Sequence, residues 1–358
     1  MYSYKSVFIF LIAICFAFSS NAQAPKYSNE FLSVGVGARA LGMSNSQVAS
    51  VSDVTAGYWN PAGLLGLGNQ HQVALMHSEQ WAGIAKYDYG AYATRLDSSS
   101  ALGVTIIRFG IDNIPNTTQL IDPNGNVDYT RITMFSAVDY AFMVSYAKTL
   151  KIPGLKLGAN AKIIRRRIGD FAGAWGFGLD AGAQYDYKKW KLGAMMRDVT
   201  STFNAWSFNL SEETKAVFVA TGNEIPDNSV EVTLPKLLLG AARKFDFKHN
   251  ISLLAELNLD ATFDGKRNTL IKTNFASIDP HFGLEASYMN FIFLRTGMGN
   301  YQTYTNAIGK KVRTFQPNIG IGVKIKSVSI DYALTDVGDQ SGVVYSNVFS
   351  VRVDINKK

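Results

Sequence analysis

The sequence predicts an all-β protein, a 14-stranded antiparallel transmembrane β-barrel with an N-terminal plug segment. Three observations predict this fold class. From residue 70 onward, apolar and polar side chains alternate with a period of two, as in strands that separate two environments. The connections between these strands alternate between short and long. Ahead of the strands lies a segment that is rich in glycine and alanine and has few charges.

The chain opens with a predicted secretory signal over residues 1–22. Lys5 supplies the positive charge, and residues 7–18 form an apolar run that is too short to span a bilayer. That length disfavours the alternative, an N-terminal membrane anchor. Small residues precede the expected cleavage point at Gln23. Because the only cysteine, Cys15, lies in this signal, the mature chain is expected to contain neither a disulfide nor a reactive thiol.

Residues 23–69 are predicted to form the plug. Glycine and alanine recur through residues 35–42, and small residues allow one backbone to pack closely against another. Pro61 fixes its own φ and keeps Asn60 out of helical geometry, which predicts a rigid corner. A compact segment of this kind suits the mouth of a barrel.

Residues 70–358 are predicted to form the barrel. The fourteen strands are an even number, as single-chain bacterial barrels require, and all the longer connections lie at one end. Outer-membrane barrels have short periplasmic turns and long external loops. A soluble all-β fold, the alternative class, would not show this one-sided pattern. The predicted strands are 70–79, 84–95, 100–110, 138–149, 154–168, 172–187, 189–199, 230–245, 249–260, 279–288, 291–298, 314–325, 327–336 and 343–355.

The two faces of the predicted strands differ in polarity. In the segment 172–187, Trp175, Phe177 and Leu179 share one face, and Asp180 shares the other with several glycines. A charge that faces lipid at mid-membrane costs about 2–4 kcal/mol, so the apolar face is expected to meet lipid.

Charged side chains then point into the lumen. We expect them to pair across the interior and with Arg39 and Asp53 of the plug; a water-filled pore with solvated charges is the alternative. A mixed-sign lumen behind a small-residue plug favours a closed interior over an open porin. The inward charges are Lys162, Asp180, Asp186, Arg197, Glu256, Glu285, Lys324, Asp331 and Arg352.

The two rims carry residues that suit lipid headgroups. Tyr185, Tyr187 and Trp190 flank one short turn, as an aromatic girdle at headgroup level requires. Arg165 and Arg167 lie near the outer end of their strand and face outward. There they are candidate lipopolysaccharide contacts, since guanidinium groups suit paired contacts with phosphate. Solvated charges without a partner are the alternative.

The two longest connections, 111–137 and 200–229, carry many apolar side chains. In the second, Ser211 is a plausible N-cap of a short helix over residues 212–221, which Gly222 would end. Apolar loops of this size are expected to bind a partner or to fold over the lumen as a lid. The candidate loop contacts are Phe203, Trp206, Phe208 and Phe218.

The sequence offers no catalytic, cofactor or metal site, and we predict that the chain is not an enzyme. His71 and His77 share a face of one strand but stand about 20 Å apart. No serine lies in a nucleophile-elbow pattern, which disfavours a lipid hydrolase. The formal charge of +7, less one for Lys5, is basic. For an exported protein this charge indicates outer-membrane lipid and lipopolysaccharide as partners rather than nucleic acid.

The plug segment resembles the opening of the PorV/PorQ family. These are FadL-like outer-membrane barrels linked to type IX secretion in Bacteroidetes, and Asn-Pro-Ala is a short signature of FadL-like plugs. Gly63 departs from the PorV branch, which tends to have lysine after this tripeptide. The resemblance is carried by Phe31-Leu32, Ala38-Arg39-Ala40-Leu41-Gly42-Met43, Asp53 and Trp59-Asn60-Pro61-Ala62.

The resemblance implies an outer-membrane component of the type IX secretion system. Such a component would bind a large translocon subunit and the C-terminal signal domains of secreted cargo through its external loops. The alternative is a FadL-like channel for the uptake of hydrophobic small molecules, although the inward charges count against an apolar interior. The plug motif that the resemblance marks consists of Arg39, Asp53, Trp59, Asn60, Pro61 and Ala62.

Overall fold

The structure of the chain is a computed structural model. No helix in the described residues is both long and apolar enough to cross a membrane. The predicted signal over residues 1–22, with Cys15, lies outside the described part of the chain. The structure describes residues 27–121, 126–306, 308–338 and 344–356.

One antiparallel sheet of seventeen strands closes on itself, because the last strand pairs with the first. The strands are β1 (His71–Gln80), β2 (Ala85–Arg95), β3 (Ser100–Asn116), β4 (Thr133–Thr149), β5 (Leu155–Ile168), β6 (Ala172–Tyr187), β7 (Trp190–Arg197), β8 (Thr202–Phe208), β9 (Ser229–Thr233), β10 (Lys236–Asp246), β11 (Ile251–Thr262), β12 (Ile271–Lys272), β13 (Ser277–Tyr288), β14 (Ile292–Thr305), β15 (Lys311–Ile325), β16 (Val328–Thr335) and β17 (Ser346–Ile355).

Two crossings of the barrel are interrupted, and one strand is too short to cross. β7 and β8 both pair with β6, so they form one crossing. β9 pairs with β8 and β10 with β7, so they form the next. β12 pairs only with Ser277 and Ile278, which pair with β11 on their other side. Fourteen strands therefore cross the barrel, and the predicted fold class is confirmed.

The two interruptions lie side by side and have backbone causes. Asp198 and Ser201, between β7 and β8, have φ values of 55° and 59°, which a regular strand does not allow. Pro235, between β9 and β10, has no N–H to donate to a neighbouring strand. The inward positions change from odd to even residue numbers at the first interruption, where Met195 and Arg197 are followed by Thr202 and Asn204. The second interruption makes the same change, since Glu231 and Thr233 are followed by Leu238 and Gly240.

Two predicted loops are shorter than expected, because their strands extend beyond the predicted ends. β3 and β4 pair as far as Asn116 and Thr133. β8 occupies residues 202–208 of the predicted loop 200–229 and β9 begins at Ser229, which leaves residues 209–228 as its tip. The helix in this tip is confirmed at Glu212–Ala220, and the Ser211 hydroxyl accepts a hydrogen bond from the Thr214 N–H at 3.2 Å.

The predicted orientation of the strands agrees with their exposure. On β6, Trp175 and Phe177 are 59% and 51% exposed on the outer surface, whereas Asp180 is buried inside. Exposed tyrosine and tryptophan side chains, among them Tyr187 and Trp190, lie near the hairpin turns at one end. We call this the short-turn end, and the opposite one, where β3 joins β4, the long-loop end.

Candidate functional site: the plug and its vestibule

The segment from residue 27 to residue 69, here called the plug, lies inside the barrel. It contains only short helices, Glu30–Ser33, Ala38–Gly42, Ala56–Trp59 and Pro61–Gly66. Most of its side chains are fully buried, and they pack with inward apolar residues of β1 to β4 into one core. The plug is therefore a folded part of the interior.

Inward glycines on seven strands let the plug backbone approach the barrel wall. At each of them, a Cβ atom would lie 3.3 Å or less from an atom of the plug. At Gly193, for example, it would lie 2.5 Å from the carbonyl oxygen of Val48. We call these residues the glycine belt: Gly158, Gly182, Gly193, Gly240, Gly283, Gly297 and Gly320.

Asn60 joins the plug corner to the wall through its side chain. The residue is fully buried and extended, as a residue before proline prefers. Its Nδ2 donates to the carbonyl of Ala183 on β6 at 2.9 Å and to that of Val48 in the plug at 3.1 Å. Its Oδ1 accepts from the Ala62 N–H at 3.3 Å. The Asn-Pro-Ala tripeptide thus closes a hydrogen-bonded corner against the barrel.

Tyr58 and Trp59 brace the plug from within. Their rings meet edge to face, with centroids 4.8 Å apart. The Tyr58 hydroxyl donates to the carbonyl of Leu32 at 2.5 Å, and the Trp59 indole donates to that of Val36 at 2.9 Å. Arg197 of β7 stacks over the Tyr58 ring and donates to the same Leu32 carbonyl. The aromatic pair therefore ties the first turn of the plug to the wall.

Arg39 connects the plug to a buried chain of charges. Its guanidinium donates to both oxygens of Glu285, at 2.7 and 3.0 Å. Arg295 donates to Glu285 at 2.7 Å and to Asp331 at 2.7 Å. Two arginines and two carboxylates thus alternate across the plug and the strands β13, β14 and β16.

Asp53 makes the second ionic contact between plug and wall. One of its oxygens pairs with Arg352 of β17, and the other accepts from the Thr55 N–H and hydroxyl at 2.9 and 2.5 Å. Burial alone would raise the pKa of Asp53. The positive charges of Arg352 and Arg39 outweigh burial and hold the pKa below its ordinary value of 3.8.

This lowered pKa predicts that the ion pair of Asp53 stabilises the plug inside the barrel in a pH-dependent way. A carboxylate with a lowered folded-state pKa stabilises the folded state fully above its ordinary pKa, and the stabilisation is lost as pH falls through the lowered value. We expect the plug to stay seated at pH 7 and to loosen progressively below about pH 4. Conductance across planar bilayers should rise over that range. Asp53→Asn should raise conductance at pH 7 and flatten the acid response; an unchanged response would contradict the prediction.

A second buried cluster lies at the interruption between β7 and β8. The Lys162 ammonium is 2.7 Å from Asp180 and 2.6 Å from Asp198, and Lys162 is 1% exposed. The Asp198 N–H also donates to Asp180 at 2.9 Å. One lysine therefore holds two carboxylates beside the irregular backbone.

A cavity of about 500 Å³ lies between the plug and the long-loop end. We call it the vestibule. Tyr27, Val34, Leu41 and Trp81 give it an apolar portion. Polar groups dominate the rest, and the ammonium of Lys236 and the carboxylate of Asp260 in its wall are 3.5 Å apart. The amide side chains in its lining are Asn45, Gln80, Asn268, Asn300, Gln302, Gln316 and Asn318.

The predicted loop contacts are dispersed. Phe203, Trp206 and Phe208 lie on β8, so their assignment to a loop is wrong. The Trp206 indole donates to Glu231 at 2.7 Å inside the barrel mouth. Phe218 lies on the helix of the loop tip.

The two arginines predicted to contact lipopolysaccharide have different surroundings. Arg165 stacks over Trp175 and donates to the carbonyl of Ala174 at 3.1 Å. Arg167 is exposed and pairs with Asp170 at 2.5 Å. Both lie on the outer side of β5, near the long-loop end.

Comparison with solved structures identifies the architecture. CymD, a monoaromatic hydrocarbon channel, superposes with a TM-score of 0.58 at 12% identity, covering 90% of this chain and 98% of its own. The Ralstonia pickettii toluene transporter TbuX gives 0.55 at 14% identity, with 90% and 99% covered. A Pseudomonas aeruginosa FadL homologue gives 0.52 at 11% identity, with 88% and 97% covered.

Together, the fold and the plug define a plugged barrel of the outer-membrane type. Its architecture is that of the FadL-like barrels, and each superposition covers nearly the whole length of the other protein. No protein-family profile matches the chain, and no curated protein matches it. The resemblance to the PorV/PorQ family stays a prediction from the residues of the plug.

Proposed function

We propose that this protein is a FadL-like uptake barrel of the outer membrane, which receives a small molecule in the vestibule and admits it when the plug moves. The vestibule carries this proposal, because a cavity of about 500 Å³ faces the long-loop end and has the plug as its floor. CymD is a monoaromatic hydrocarbon channel and TbuX is a toluene transporter, and both likenesses support a role in uptake.

The lining of the vestibule favours an amphipathic ligand over a pure hydrocarbon. Amide and carboxylate groups that lose water against hydrocarbon, without gaining a hydrogen-bond partner, carry a large free-energy cost. Trp81 and Leu41 can cover an apolar tail, while Gln316 and Lys236 can donate hydrogen bonds to a polar head. A medium-chain carboxylate or alcohol has both parts.

Uptake by intact Gram-negative cells that lack their own fatty-acid uptake barrel tests the proposal. Cells that express the protein should accumulate labelled laurate faster than cells with an empty vector. Gln316→Trp, which fills the vestibule, should abolish the gain. Ile319→Trp on the same strand is the matched control, since Ile319 is exposed on the outer surface.

Uptake of both laurate and toluene at the rate of the empty vector would refute the proposal, as would unchanged uptake by Gln316→Trp. Toluene is the hydrocarbon comparator. If toluene enters through the barrel and laurate does not, the proposed uptake function is retained and the proposed amphipathic ligand is wrong.

A second candidate function is a role in type IX secretion, with partners bound at the long-loop end. The observation that favours it is the exposure of apolar side chains on the long connections: Tyr129 is 74% exposed, Phe275 78% and Ile308 84%. Exposed apolar groups in such number mark binding surfaces. A large translocon subunit and the C-terminal signal domains of cargo are the expected partners.

Gentle purification from the native membrane, followed by mass spectrometry, separates the two candidates. Co-purified translocon and cargo proteins would support secretion, whereas a solitary barrel with bound lipid would support uptake. Deletion of residues 209–228 removes the loop tip and spares β8 and β9, so partner capture should be lost while the barrel stays heat-modifiable on gels.

A further inference from the structure

Three neighbouring hairpin turns at the short-turn end carry an excess of lysine. We propose that this surface, here called the basic arc, binds the headgroups of anionic phospholipids in the leaflet around the short-turn end. The inference is independent of what the barrel transports. The basic arc consists of Lys148, Lys151, Lys188, Lys189, Lys244 and Lys248, all of them exposed.

The topology places these lysines along one continuous part of the rim. They lie at or next to the turns that join β4 to β5, β6 to β7 and β10 to β11. β5 pairs with β6, and β7 pairs with β10, so the three hairpins are adjacent. Their charges therefore act on the same stretch of membrane surface.

Most of these charges have no counter-charge from the protein. Among the described residues, Lys151, Lys188, Lys189 and Lys248 form no ion pair. The other two lysines have carboxylate partners, since Lys244 is 3.2 Å from Asp246 and Lys148 is 3.9 Å from Asp97. An array of exposed ammonium groups with so few acidic partners creates a local positive potential, which attracts anions.

Aromatic side chains place the basic arc at the depth of lipid headgroups. Tyr187, Trp190 and Phe247 are exposed beside these lysines, and such rings prefer the boundary between hydrocarbon and water. The Lys188 ammonium lies 5.1 Å from the Tyr187 ring centroid. The ammonium groups then lie level with the phosphates of the surrounding lipid.

The other described turns between successive strands at the short-turn end carry less positive charge, and the one between β15 and β16 has a single exposed lysine, Lys326. The turn at Met289–Asn290, which joins β13 to β14, carries no charge. At the long-loop end, the tip over residues 209–228 has four carboxylates and one lysine. Charge complementarity therefore favours phosphatidylglycerol over a zwitterionic lipid at the basic arc.

Native mass spectrometry of the detergent-solubilised full chain, titrated with phosphatidylglycerol or phosphatidylcholine, tests the proposal. The unsubstituted protein should bind more phosphatidylglycerol than phosphatidylcholine. The triple variant Lys151→Gln, Lys189→Gln and Lys248→Gln should bind phosphatidylglycerol about fivefold more weakly for each lysine removed. The corresponding triple substitution by arginine should retain binding, because it keeps the charge.

The matched control removes three exposed lysines from the long-loop end, Lys272, Lys310 and Lys311, each replaced by glutamine. It has the same net charge as the test variant and should bind phosphatidylglycerol normally. Equal affinity for the two lipids in the unsubstituted protein would overturn the proposal. An equal loss in the control would also overturn it, since net charge alone would then explain the binding. Heat-modifiable migration on gels verifies that each variant is folded.

Discussion

Replacing Gly158 and Gly182 with leucine is expected to expel the plug from the barrel. The two glycines pair across β5 and β6 beneath the plug corner. A Cβ atom at Gly158 would lie 2.5 Å from the Pro61 carbonyl carbon, and one at Gly182 would lie 2.9 Å from Pro61 Cδ. Overpacking a closed interior costs about 1–3 kcal/mol for each site. Movement of the plug relieves both clashes, whereas the strands are fixed by their hydrogen bonds.

Two measurements would detect the expelled plug. Planar bilayers should show steady ion conductance, and trypsin should cleave after Arg39 in barrels that remain folded. Gly90→Leu is the matched control. Gly90 lies on the outer face of β2, where a Cβ would be 3.6 Å from Leu75, an ordinary contact. A double variant that stays closed and resists cleavage at Arg39 would show that the glycine belt does not seat the plug.

Lys162→Met is expected to lower the free energy of unfolding by about 3–5 kcal/mol. The substitution preserves most of the side-chain volume but removes the charge that Asp180 and Asp198 share. Two buried carboxylates would then remain without their cation, and removing one partner of a buried ion pair carries this large cost. Urea unfolding of the reconstituted barrel, followed by tryptophan fluorescence, measures the change.

Lys156→Met on the same strand is the matched control. Lys156 is 2.7 Å from Asp186, but both groups are partly exposed at the rim. An exposed pair contributes about 0–1 kcal/mol, so the control should unfold almost like the unsubstituted protein. Adding Asp180→Asn and Asp198→Asn to Lys162→Met should restore most of the lost stability. Similar urea midpoints for Lys156→Met and Lys162→Met would contradict the prediction, because removal of the buried lysine would then cost no more stability than removal of the partly exposed one.

The fold class could be predicted because its signals are local. A period of two needs only adjacent residues, and the alternation of short and long connections follows directly from strand positions. The corner at Asn60 and Pro61 was also predictable, since proline restricts the residue before it. The orientation of the faces followed from the cost of a charge in lipid.

The remaining features depend on which strands become neighbours. Glycines in the strands are visible in the sequence, but only the closed barrel shows that those of the glycine belt face the plug. Arg295 follows the apolar run 291–294, and its importance comes from Glu285 and Asp331 on two other strands. Phe203 was assigned to a loop because an alternating strand beyond the predicted end looks like apolar loop sequence.

The contacts of the plug constrain the order in which the protein is assembled. The Ala38 N–H donates to Ser350 of β17, and Asp53 pairs with Arg352 of the same strand. Ala38 and Ser350 are separated by 312 residues. The plug precedes every strand in the chain, yet it acquires its last partners only when β17 is in place. During insertion, the plug must therefore stay inside the partly formed barrel until β17 pairs with β1, because its contacts with Ser350 and Arg352 can form only then.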